Sequence, residues 1–117
     1  MSDHFYPLDG RKHYKDLEKA QKDMFQAFKD FNNGVFEKES ALPRKMKELI
    51  AIGVAHTTQC PYCIEGHVRA AKKAGASDQE IAEAIFVAAA LRAGGAFAHS
   101  TIAMSVLHER EGSEKQK

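Results

Sequence analysis

Apolar residues recur at steps of three and four along nearly the whole chain, the spacing of helices that bury one face. Between His13 and about Asn32, Leu17, Ala20, Met24, Phe28 and Phe31 fall on one side, with Val35 just beyond. Lys15, Glu18, Lys22, Asp23 and Lys29 form the wet side. The pattern predicts one amphipathic helix, closed by Asn32-Asn33-Gly34, whose residues accept the left-handed conformation. A second helix is predicted from Leu42-Pro43, because proline at a first helical position gives up no bond. Met46, Leu49, Ile50, Ile52, Gly53 and Val54 make it too apolar for a half-exposed helix, so it should be central. Pro61 lacks an amide donor and disfavours helical geometry at Cys60, so a new helix should start there and run to Gly75. Ser77-Asp78-Gln79-Glu80 reads as a capping box. The helix it opens is apolar almost all round from Ile81 to Leu91 and should be covered on several sides. Gly94-Gly95 is expected to break the chain before a last helix from about Ala96 to Arg110, followed by a frayed polar tail, Glu111 to Lys117. No alternating run suggests a strand. The expected fold is all-α, a compact domain of about five to six helices.

Composition narrows the class. At 117 residues there is room for one core, so residues 1–117 are read as a single domain. With 44% apolar and 28% charged residues, the chain should fold rather than stay disordered. Lys+Arg at 17 against Asp+Glu at 16 lacks the basic excess of a nucleic-acid binder. The longest strongly apolar stretch, Ala84 to Leu91, stops at Arg92, short of the roughly 20 residues of a membrane span. Met1 to Phe5 lack the basic-then-apolar pattern of a signal peptide. The expectation is a cytoplasmic protein without membrane association. The alanine-rich helix and Gly94-Gly95 offer more apolar surface than five short helices hide. A homo-oligomer built on residues 77–93 and 96–110 is therefore expected, against the alternative of a compact monomer.

Chemistry concentrates between Glu48 and His67. Cys60 and Cys63 are three residues apart, so a bridge between them closes too small a loop to be an effective staple. Close spacing favours reversible redox chemistry or metal ligation instead. At a helix start, unpaired amides and the positive end of the dipole favour thiolate over thiol. His67 lies four residues after Cys63, on the same face, where it can take the thiol proton. Glu48, between Lys47 and Leu49, needs a partner if it is buried, and orienting His67 would supply one. The resulting candidate is a proton relay, Glu48 to His67 to Cys63, with Cys60 as the second sulfur. Each member also has a structural reading: a solvated glutamate, a satisfied histidine and two small inert hydrophobes. Zinc is a chemical competitor, since His56, Cys60, Cys63 and His67 form a legitimate ligand set. One unbroken helix over 56–67 would span about 16 Å, too long to close on one ion, although a break at Pro61 shortens it. His4, His13, His99 and His108 have no partner at ligand spacing, and among them only His99 is placed to line a pocket. No nucleotide-binding glycine loop or serine-nucleophile elbow appears, and no cofactor is implied.

Three segments resemble the carboxymuconolactone decarboxylase superfamily: Lys47 to Ala55, Cys60-Pro61-Tyr62-Cys63-Ile64-Glu65-Gly66-His67, and Ala70 to Ser77. The Glu-x11-Cys-x2-Cys-x3-His pattern is similar to the alkylhydroperoxidase D-like branch, over roughly Leu42 to Leu107. The resemblance implies an all-helical fold, trimers or hexamers, and thiol peroxidase or disulfide reductase activity fed by an external dithiol. Carried onto this chain, it gives Glu48, Cys60, Cys63 and His67 the relay roles, with Cys63 activated and Cys60 the more exposed. Tyr62 stands where the branch's peroxidases carry a further histidine. A phenol titrates near 10 and cannot serve as a base at neutral pH. Tyr62 is thus a supporting residue at most, and peroxide turnover is expected to be weak or to give way to disulfide relay. The superfamily's ring-opening decarboxylases lack the cysteine pair, which leaves decarboxylation, or a zinc- or partner-binding role, as the alternatives.

Overall fold

The computed structural model describes the backbone of residues 9–116 and the side chains of residues 9–109. Met1 to Phe5, His4 among them, and the side chains of the tail lie outside the described residues. A short 3-10 turn, Gly10–His13, precedes five helices: α1 Tyr14–Ala20, α2 Lys22–Phe36, α3 Arg44–Thr58, α4 Pro61–Lys73 and α5 Asp78–Gln116. The fold is all-α, with no strand among the described residues. Contacts divide the chain at Ala41/Leu42 into two compact units.

In the first unit the expected single helix is two. Gln21 sits outside the helical region, at φ −151° and ψ 76°, and the chain turns there. The rings of Tyr14 and Phe25 meet across the break, with centroids 6.3 Å apart. Asn32-Asn33-Gly34 do not end α2, which continues to Phe36. Those residues weaken a helix without removing a bond, and the Glu37 amide still reaches the Asn33 carbonyl at 2.7 Å. The apolar face carrying Met24, Phe28 and Phe31 is exposed.

The second unit holds the core. Ile52 of α3, Ala71 of α4, Ala76 and Ile81 of α5 are buried, with Leu49, Val68, Ala84 and Ile85 packed around them. This is the central role expected of α3. Its start is set by Pro43, which stands in extended conformation just before Arg44. α4 closes on Gly75, whose φ of +95° suits glycine. The Gly75 amide returns to the Lys72 carbonyl at 3.1 Å and the Ala76 amide to Ala71 at 2.9 Å, the paired bonds of a Schellman ending. The capping box then opens α5: the Glu80 amide donates to Ser77 Oγ at 3.0 Å, and the Ser77 amide to Glu80 Oε1 at 2.9 Å.

Gly94-Gly95 do not break α5, which runs unbroken from Asp78 to Gln116 where two helices were expected. Glycine costs about 1 kcal/mol against alanine in a helix, but it keeps its amide. By the usual rise of 1.5 Å per residue, α5 is about 58 Å long. Only its first part packs on the core: Ile81 and Ala88 are buried, whereas Phe86, Leu91 and Phe97 are exposed. The expected covering on several sides is therefore not provided by the described residues. The apolar run also continues past Arg92, contrary to expectation. By length and composition Asp78–Glu109 could cross a membrane. Arg92, within this span, donates to the Thr57 carbonyl at 3.0 Å.

Candidate active site

The corner between α3 and α4 brings the cysteines to a helix start. α3 ends on Gln59, which adopts the left-handed conformation at φ 59° and ψ 48°. That residue reverses the chain, and the next amide, of Cys60, bonds back to the Ala55 carbonyl at 3.1 Å. Cys60 is extended and caps α4, with Pro61 in its first turn. The Cys63 amide donates to Cys60 Sγ at 3.3 Å. Cys60 and Cys63 are joined as a disulfide, with Cα atoms 5.3 Å apart. Once the bridge is reduced, the cap bond and the positive end of α4 both favour a thiolate at Cys60. The dipole argument made for the pair thus bears most directly on Cys60, the sulfur assigned the second role from the sequence.

The other half of the site spans two helices. Glu48 on α3 is 1% exposed. A carboxylate taken so completely from water must be paired or hydrogen-bonded. Both its oxygens are held: His67 Nδ1, on α4, donates to Oε2 at 2.6 Å, and Arg44 Nε donates to Oε1 at 2.9 Å. A carboxylate only accepts, so the proton in this bond belongs on His67 Nδ1, which leaves Nε2 as the other ring nitrogen. His67 lies one turn after Cys63 and is half-buried, as are both cysteines. The arrangement can fix the orientation of an imidazole one helical turn from a sulfur pair.

Three further candidate histidines, His56, His13 and His99, bond locally. Tyr62 occupies the first turn of α4 and is half-buried. His56 Nδ1 donates to the Ile52 carbonyl of its own helix at 2.8 Å. Among the described residues no three of His, Cys, Asp or Glu converge as a metal-binding group. His13 bonds Asp16 on the surface at 3.1 Å, and His108 is exposed. His99 is also exposed, its Nδ1 donating to the Gly95 carbonyl at 2.7 Å, so it lines no interior pocket. Arg44 was missed from the sequence, although Arg44 and Glu48 stand at i,i+4, a spacing that makes helical ion pairs. The Arg92 bond to Thr57 joins residues 35 apart and has no local signal.

Comparison with known proteins agrees with this architecture. A protein described as uncharacterized protein 4 in the cox locus of Paracoccus denitrificans is 53% identical over 75 residues, covering 64% of this chain and 68% of that one. A crystal structure of a Methanobacterium thermoautotrophicum protein superposes with a TM-score of 0.69 at 30% identity, covering 74% of this chain and 96% of that one. The pattern of the carboxymuconolactone decarboxylase family matches residues 22–106, all of α2 through α4 and most of α5. Matched over well more than half its length, this chain belongs to the carboxymuconolactone decarboxylase family.

Proposed function

We propose that this chain is a thiol-dependent oxidoreductase that reduces peroxides by cycling Cys60 and Cys63 between dithiol and disulfide. The observation that carries the reading is the pairing of a redox-capable Cys-x-x-Cys at a helix start with a buried Glu48–His67 hydrogen bond on the adjoining turn. His67 takes the Cys63 thiol proton at Nε2, and the thiolate attacks one oxygen of a hydroperoxide. The O–O bond breaks, Cys63 becomes a sulfenic acid, and the departing alkoxide takes a proton to leave as alcohol. Cys60 thiolate then attacks the Cys63 sulfur, forming the disulfide and releasing water. An external dithiol reduces the bridge by exchange and is itself oxidised to a disulfide. The cycle draws on no bound cofactor.

Stopped-flow mixing of reduced protein with an alkyl hydroperoxide, with thiol loss counted, tests this. Rapid loss of two thiols in the wild type and at least tenfold slower loss in His67→Ala are expected. Equal rates would remove His67 as the base, and no thiol loss in either would remove the peroxidase. Tyr62, with its phenol in place of an imidazole, favours a second reading in which a partner's disulfide is the oxidant. Faster thiol loss with a disulfide probe than with hydroperoxide would select it. A lactone decarboxylase, the activity that names the family, would keep turning over as Cys63→Ser. A zinc-binding module would carry one metal per chain by elemental analysis.

We propose too that the protein works as a cytoplasmic homo-oligomer, a trimer or hexamer, with α5 at its interface. The apolar residues along α5 that its own chain leaves bare support this.

A further inference from the structure

We propose that Arg44 is a positioning residue: its fixed charge neutralises Glu48, so that His67 stays uncharged and competent to accept a proton. This deepens the thiol reading above and rests on it for its catalytic meaning. The argument starts from charge. Glu48 is 1% exposed, and its two oxygens accept from Arg44 at 2.9 Å and His67 at 2.6 Å. A buried carboxylate draws a compensating positive charge from whatever group can provide one. Were His67 its sole partner, the ring would be held as imidazolium, with no lone pair left to receive the Cys63 proton.

Arginine removes that demand. A guanidinium does not lose its proton in proteins, so the Arg44–Glu48 pair is already neutral. The second oxygen can then act on His67 by hydrogen bonding alone, fixing the proton on Nδ1 and the lone pair on Nε2. The arginine side chain is 42% exposed, so its charge keeps contact with water while its Nε reaches inward. The other ion pairs on these helices lie nearer the surface: Lys45–Glu80 at 3.0 Å, Glu65–Arg69 at 3.4 Å and Lys72–Asp78 at 2.7 Å. Among the ion pairs described, those of Arg44 and His67 alone reach the buried carboxylate.

The test reads the His67 ring directly, by nitrogen chemical shifts of labelled protein at neutral pH in the disulfide form, where no thiolate can charge it. The wild type should show a neutral ring protonated at Nδ1. Arg44→Gln keeps a hydrogen-bond donor without the charge and should show imidazolium. Arg44→Lys restores the charge and should restore the neutral ring. A charged ring in the wild type, or a neutral one in Arg44→Gln, overturns the proposal. Should the glutamine variant fail to fold, a charged ring in Arg44→Lys overturns it and a neutral one supports it. A separate arm mixes the reduced proteins with an alkyl hydroperoxide, expecting thiol loss at least tenfold slower in Arg44→Gln. Inert wild-type thiols there would sink the thiol reading while the ring spectra still decide the role of Arg44.

Discussion

Cys60 has two duties that substitution can separate. Its sulfur caps α4 by accepting the Cys63 amide, and it is one partner of the disulfide. Serine is a preferred N-cap and keeps the first duty while losing the second. Cys60→Ser should therefore melt no lower than the reduced wild type, and a single addition of hydroperoxide should leave a sulfenic acid on Cys63 that mass spectrometry detects. A lower melting temperature would mean that the sulfur packs as well as caps. Gln59, one residue earlier, holds a left-handed backbone that costs a side chain about 1 kcal/mol. Gln59→Gly should recover up to that amount in denaturant melts, with helix content unchanged. At this scale much of the site was legible: Glu48 sits beside Leu49 and Ile50, and a carboxylate in such company needs a partner that only a few residue types can be. Arg44 escaped because a basic residue near a helix start is most often solvated. Its reach inward becomes apparent only with the burial of Glu48.

Helix boundaries divide by whether their signals are local. The start of α4 and the capping box of α5 were readable from Pro61 and from Ser77 and Glu80, since each signal acts within one turn. Gly94-Gly95 and Asn32-Asn33-Gly34 misled because they only lower helix propensity, a cost that neighbouring turns outweigh. Gln21 carries no breaker chemistry at all, and the Tyr14 and Phe25 rings meet across its turn. The box at α5 also makes a prediction about acid. The Ser77 amide, and after it Lys45, hold the Glu80 carboxyl below the ordinary glutamate range. A carboxyl lowered in the folded state contributes stability that is present above its unfolded value, about 4.3, and is lost as pH falls through the folded one. Glu80→Gln should thus be less stable than wild type at neutral pH. The gap should close on acidification below about pH 4 in urea melts. A gap constant with pH would mean that the ionised carboxyl contributes nothing.

For the whole molecule the open surface of α5 sets the question. Phe97 is 82% exposed and a Cβ placed on Gly94 or Gly95 meets nothing within 4 Å, so the described residues leave this stretch bare. Small residues there allow a second helix to approach closely. Sedimentation without detergent should find three or six copies, and Phe97→Glu should yield smaller species of unchanged helix content. Partition of the wild type into the membrane fraction, released only by detergent, would place α5 in a bilayer instead. The outcome also bears on how much the sequence could say. Its apolar run was visible, but the continuity of the helix through two glycines was not, and continuity is what makes the run long enough for either environment.

The hydrogen bond between Glu48 and His67 joins residues 19 apart in sequence, on different helices. It exists only while α3 and α4 are docked. On the proposed function, a loosened chain that kept its helical content but lost its interior order would retain both sulfurs and yet lose the help of His67. If the proposed thiol cycle operates, its speed would serve as a gauge of tertiary integrity, and nascent or damaged copies would sit it out until α3 and α4 are docked.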